Sequence, residues 1–238
     1  NWQSLGFSIN NFDNSGPGAF AAGDVNGDGL QDVIFLQPDY IEVDIFASRF
    51  RISRAYLVLG QATPIASGEL NLAQANTIYQ DYELFFVNPL SDVNGDGYDD
   101  LAFSRDAENS FTGFGVVSIV HGSANPVAFN GVRLGSDFTA AQTIQRFVPG
   151  ELAPGTDVEA FVVATAGDFD GDGRLDLAVG ELSREVDPNP TDARGSVYVF
   201  LDIADQPPEV FFADADFIAR GEAGIDLFGM LPQSPRVD

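Results

Sequence analysis

Three nine-residue segments carry oxygen-bearing side chains at one fixed spacing. They read Asp24-Val-Asn-Gly-Asp-Gly-Leu-Gln-Asp32, Asp92-Val-Asn-Gly-Asp-Gly-Tyr-Asp-Asp100 and Asp168-Phe-Asp-Gly-Asp-Gly-Arg-Leu-Asp176. Positions 1, 3, 5 and 9 are Asp or Asn in every copy. This selects Asp24, Asn26, Asp28 and Asp32, then Asp92, Asn94, Asp96 and Asp100, then Asp168, Asp170, Asp172 and Asp176. Position 6 is always glycine, where the chain must turn sharply. Such spacing wraps oxygen ligands around a hard cation, with a backbone carbonyl from position 7, here Leu30, Tyr98 and Arg174, completing the set. Calcium is the expected ion, about three in all, with magnesium and manganese as second choices. Its role is structural, because several short acids in one turn repel each other without it. Removing calcium is therefore expected to lower stability and not to abolish a reaction.

An EF-hand or dockerin loop opens in the same way, but needs a bidentate acid at position 12 and flanking helices. Position 12 here is Phe35, Phe103 and Val179, and each loop runs into a strand-like sequence. Simple turn formation by Asp-Gly and Asn-Gly explains one such segment. It does not explain three with the same acids and the same downstream run.

The remaining chemistry is narrow. Among 238 residues there is no cysteine and one histidine, which removes disulfides, thiolate zinc sites, iron–sulfur clusters, cysteine nucleophiles and multi-histidine metal sites. All 11 basic residues are arginine against 36 acids, for a net charge of −25. That balance argues against nucleic-acid backbones and anionic bilayers as partners. No nucleophile motif of the Gly-x-Ser-x-Gly type accompanies His121, which reads as structural at the end of a strand. No acid pair is selected for glycoside hydrolysis. The reading is of a chain with no catalytic residues and no organic cofactor. Outside the three loops, 25 acids face 10 arginines, an excess suited to a salty or calcium-rich exterior that screens charge. Arg49, Arg51 and Arg54 alternate as on a solvated strand face, and Trp2 and Tyr40 are candidates for exposed contacts.

Each loop is followed by an apolar run: Val33–Leu36, Leu101–Phe103 and Leu177–Gly180. A second β-rich run follows each, at Tyr56–Gly60, Val116–Gly122 and Val197–Leu201. Another precedes each loop, at Ala19–Ala22, Leu84–Val87 and Phe161–Ala164. A fourth is assigned to Thr77–Tyr79, Thr143–Val148 and Val210–Phe212. Four short strands per unit, punctuated by Gly, Pro, Asn and Asp, predict repeated antiparallel sheets. Helical turns are expected only at Leu70–Ala75 and Thr139–Ile144. The first aspartates lie 68 and 76 residues apart, and a similar step from Asp168 reaches Asp238. No uncharged apolar stretch is long enough for a spanning helix, so no membrane insertion is expected. The start, Asn1-Trp2-Gln3-Ser4, lacks a signal-peptide pattern and reads as a mature end or a cut inside a longer chain.

These units resemble the FG-GAP repeat, the blade of the integrin alpha-subunit β-propeller and of related bacterial extracellular proteins. The resemblance rests on Gly167–Gly180, on Gly195–Phe200 and on Phe228-Gly229. In the first two units the loop is kept, while Val33–Leu36 and Leu101–Ser104 depart from the Leu-x-Val-Gly-Ala-Pro pattern. The resemblance implies an all-β fold of propeller blades, each of four antiparallel strands with the calcium loop between its first two. As a single repeat domain over 1–238, blade 1 falls at about 16–80, blade 2 at about 83–148, blade 3 at about 158–220 and the start of blade 4 at about 225–238. Three blades and part of a fourth do not close a ring, so further blades are expected from a longer chain or another protomer. The function implied is non-catalytic adhesion or recognition of a protein or glycan ligand at an extracellular, secreted or cell-surface location. The alternative is an accessory propeller of a polysaccharide-active or other secreted enzyme whose catalytic domain lies outside this chain.

Overall fold

The computed structural model describes residues 18–45, 48–62, 72, 75–82, 84–106, 115–126, 130–133, 144–148, 158–185 and 195–221. Trp2, Phe228-Gly229 and residues 139–143 lie outside these. Antiparallel strands dominate. The first sheet contains β1 (Gly18–Gly23), β2 (Asp32–Ile45), β3 (Ser48–Val58) and β4 (Thr77–Tyr82). The second contains β5 (Leu84–Leu90), β6 (Asp100–Asp106), β7 (Gly115–Val120) and β9 (Ile144–Val148). The third contains β10 (Val158–Gly167), β11 (Asp176–Glu185), β12 (Ser196–Phe200) and β14 (Phe217–Arg220). Among the described residues no helix is long and apolar enough to cross a membrane.

Two further strands depart from a purely antiparallel plan. β8 (Asn130–Arg133) leaves the second sheet between β7 and β9 and pairs in parallel with β4 of the first. β13 (Glu209–Phe211) leaves the third sheet between β12 and β14 and pairs in parallel with β9 of the second. The run Val210–Phe212 is therefore not the fourth strand of its own sheet. That place belongs to β14, which pairs antiparallel with β12. Both segments are apolar and strand-forming, and the choice between them is made by where each can bury its side chains. Val210 and Phe212 are buried in the core between the second and third sheets, and the Phe212 ring stacks on Tyr198 with centroids 4.8 Å apart.

Alternation along the strands decides the packing. On β6, Leu101 and Phe103 face one way and Ala102 and Ser104 the other, yet all four are buried. Leu101 and Phe103 join Ala22, Ile34 and Leu57 of the first sheet in one core cluster. Ala102 joins Leu177, Val179 and Phe200 of the third sheet in another. The second sheet is thus sandwiched, and each fully buried Leu or Phe contributes about 2–3 kcal/mol relative to exposure. Tyr79 of β4 reaches across to the Phe103 ring, centroids 4.9 Å apart.

The strands of the first sheet run longer than their apolar cores predict. Gln37-Pro38-Asp39 lies beyond the apolar run Val33–Leu36, yet β2 continues through it in register with β3. Among the described residues β1 pairs with β2 only as far as Leu36, so Pro38 has no described neighbour on the β1 side.

Candidate metal centre

Each nine-residue segment forms the connection between the first two strands of its sheet: β1 to β2, β5 to β6 and β10 to β11. The backbone in all three turns is held left-handed at two glycines. Position 4 has φ of 70°, 74° and 84° at Gly27, Gly95 and Gly171, and position 6 has 84°, 93° and 90° at Gly29, Gly97 and Gly173. Residues with a Cβ are disfavoured there, so the second glycine of the motif is as necessary as the first.

The same hydrogen-bond frame recurs in each loop. The position 1 carboxylate accepts from the amide of position 6, Gly29 to Asp24 at 2.8 Å, Gly97 to Asp92 at 2.7 Å and Gly173 to Asp168 at 3.0 Å. Its other oxygen accepts from Asp28 in the first loop, Asp96 in the second and Gly171 in the third. The position 5 carboxylate accepts from the amide of position 7, placing Leu30, Tyr98 and Arg174 at 2.8–3.1 Å from Asp28, Asp96 and Asp172. The position 3 oxygen of Asn26, Asn94 or Asp170 accepts from the position 5 amide. The side chains at positions 1, 3 and 5 are thereby turned into their own loop.

Position 9 differs from the others. Asp32, Asp100 and Asp176 are 0% exposed, and each uses both oxygens to staple the loop to its sheet. One oxygen accepts from the position 2 amide, Val25, Val93 or Phe169, at 2.7–2.9 Å. The second accepts from a residue just beyond the third strand, Gly60, Gly122 or Asp202, at 2.8–2.9 Å. Burial raises the Asp32 carboxyl above its ordinary range; the Gly60 and Val25 amides offset part of this, while Asp28 and Asp24 add to it. His121 Nδ1 lies 3.3 Å from Asp100 Oδ1, which accounts for this histidine as a packing neighbour of the second loop.

The third loop gathers its acids most closely. Asp168, Asp170 and Asp176 each bring a carboxylate oxygen to within 4.8 Å of the others. Oxygens around calcium lie about 2.3–2.6 Å from the ion, so a shared shell spans about 5 Å. The all-oxygen donor set fits a hard cation. Arg174 partly balances this loop, with its guanidinium 3.0 Å from Asp202 and 2.7 Å from Asp205; these acids, Asp205 foremost, favour its charged form. Asp202 itself is raised by burial, with Arg174 opposing.

The staple from position 9 to Gly60, Gly122 and Asp202 is absent from the motif itself. Two of its three donor positions are glycines that follow a β run, which was the available signal. Asp99 is a further functional residue hidden in the sequence as one of two adjacent aspartates. Its carboxylate accepts the Asp24 amide at 2.7 Å and so joins two loops.

No protein-family model matches the chain. Over 169 residues it is 31% identical to integrin alpha-PS2 of Drosophila melanogaster. The matched region covers 70% of this chain but 11% of that relative, so the chain corresponds to a small part of the relative's length. This similarity supports a relationship between the chain and an integrin alpha subunit.

Proposed function

We propose that the chain is a calcium-binding, non-catalytic β-propeller module for extracellular adhesion or recognition of a protein or glycan ligand. Its blades follow the FG-GAP pattern, at about 16–80, 83–148 and 158–220, and each carries one structural calcium in its first loop. The observation that carries this reading is the threefold recurrence of one hydrogen-bond frame around the acids at positions 1, 3, 5 and 9. Similarity to an integrin alpha subunit supports the extracellular and adhesive part. The side chains of positions 1, 3, 5 and 9 would face the ion, with the carbonyls of Leu30, Tyr98 and Arg174, position 9 approaching from the sheet beneath the loop. Calcium would relieve the mutual repulsion of these acids and lock each sheet's first connection.

Thermal unfolding with millimolar calcium and with excess chelator tests this. A single site saturated about 100-fold above its Kd raises the melting temperature by about 5–10 °C in a chain of this size. An identical melting temperature in both conditions would contradict the reading. Recognition is tested by binding to immobilised matrix proteins and glycans, where chelation should release the bound chain.

A further inference from the structure

Residues 24–29 and 92–97 have the same sequence, Asp-Val-Asn-Gly-Asp-Gly, so the pairs Asn26-Gly27 and Asn94-Gly95 sit in identical local chemistry. In Asn-Gly the backbone nitrogen of the glycine can attack the side-chain carboxamide before it, because glycine has no Cβ to hinder the approach. The carboxamide is prepared alike in both loops. Its oxygen accepts from the Asp28 amide at 3.3 Å and from the Asp96 amide at 3.0 Å, and a donor on that oxygen stabilises the charge that develops there under attack. Both glycines are exposed.

The attacking nitrogens are not alike. Each position 6 amide donates to the position 1 carboxylate of its own loop. At position 4, Gly27 donates to the Asp24 carbonyl at 3.4 Å and Gly171 to the Asp168 carboxylate at 2.6 Å. Among the described residues the Gly95 amide has no acceptor, the one such glycine in the three loops. Packing separates the pairs in the same direction. A Cβ on Gly27 would fall 2.7 Å from the Tyr98 ring, whereas one on Gly95 would meet nothing within 4 Å. Gly171 is as open, but it is held by its bond and follows Asp170, which has no amide to lose.

We propose that Asn94 is a site of spontaneous deamidation in the folded chain, and that Asn26, in the same sequence, is shielded from it. The Gly95 nitrogen bonds to Asn94 Cγ, and the Cγ–Nδ2 bond breaks. The proton of the Gly95 amide passes through solvent to Nδ2, which leaves as ammonia, and a five-membered imide remains. Water then opens the imide at either carbonyl to give aspartate or isoaspartate at 94, with nothing oxidised or reduced. Aspartate reproduces the third loop, where Asp170 accepts the Asp172 amide at 3.1 Å. Isoaspartate lengthens the backbone between 94 and 95, inside the turn that the Gly97 amide closes on Asp92, and breaks the frame of the second loop. The proposal stands whether or not the loops hold calcium.

Peptide mass mapping of the 238-residue chain, kept folded in warm neutral buffer with chelator, tests it at both asparagines. Conversion at Asn94 should run at least about threefold faster than at Asn26, the scale of one hydrogen bond at the attacking nitrogen. In urea the two identical sequences should convert at one rate. Equal rates in the folded chain, a faster Asn26, or conversion of both only in urea would overturn the proposal. Unequal rates in urea would trace the difference to sequence and overturn it as well. Tyr98→Ala keeps the position 7 carbonyl and uncovers Gly27, so it should raise the Asn26 rate towards that of Asn94. An Asn26 rate unchanged in that variant would defeat the shielding.

Discussion

Asp24 and Asp99 hold each other twice. The Asp24 amide donates to the Asp99 carboxylate at 2.7 Å, and the Asp99 amide donates to the Asp24 carbonyl at 3.1 Å. Asp24 is the first acid of the first loop, and Asp99 immediately precedes the last acid of the second. Close packing surrounds the link: a Cβ on Gly27 would fall 2.7 Å from the Tyr98 ring, and one on Gly122 2.7 Å from the Val25 carbonyl. The third loop is tied within its own sheet instead, where the Leu175 carbonyl accepts from Ile203.

Replacing Asp99 with alanine should therefore act on two loops at once. The Asp24 amide loses its acceptor, at a cost of about 1–3 kcal/mol. Urea unfolding should show that loss, and calcium titration should show weaker binding at two sites with the third unchanged. Unaltered stability and three unaltered sites would mean that the link carries nothing.

Position 9 and position 3 should separate cleanly in the third loop. Asp176→Ala strands the amides of Phe169 and Asp202 and should cost about 3 kcal/mol even in chelator. Asp170→Ala removes an exposed side chain bonded only to its own loop. Its effect in chelator should stay near 0.5 kcal/mol, while calcium affinity at that site falls at least about tenfold. Equal losses for both variants in chelator would contradict the stapling role of Asp176.

Tyr79 sets the alkaline limit. Burial pushes its hydroxyl well above the ordinary tyrosine range, and a hydrogen bond with Thr77 opposes this only in part. The folded state keeps the proton where the unfolded state has lost it, so stability is full below about pH 10 and declines above it. Tyr79→Phe should flatten that decline in chemical unfolding measured between pH 8 and 11. A decline of the same slope in the variant would place its cause elsewhere.

The loops and the strands that follow them were legible because their signals are local. Acid spacing identifies Asp24, Asp92 and Asp168 as loop starts, and period-two alternation identifies Leu101 and Phe103 as core. Strand exchange was not legible, because Val210–Phe212 and Phe217–Ile218 are both short apolar β runs. Only burial against the second sheet sends the former to β9 and leaves the latter beside β12. Likewise the spacing selects Asp32, Asp100 and Asp176 but says nothing of their staple to Gly60, Gly122 and Asp202, which joins residues 22 to 28 positions apart. Asp99 could not be told from Asp100 by type alone.

Isothermal titration calorimetry of the folded, calcium-free chain is the most direct test of the calcium assignment. About three ions per chain should bind, and Asp24→Ala, Asp92→Ala and Asp168→Ala should each remove one. No heat of binding at millimolar calcium, with the chain still folded, would contradict it.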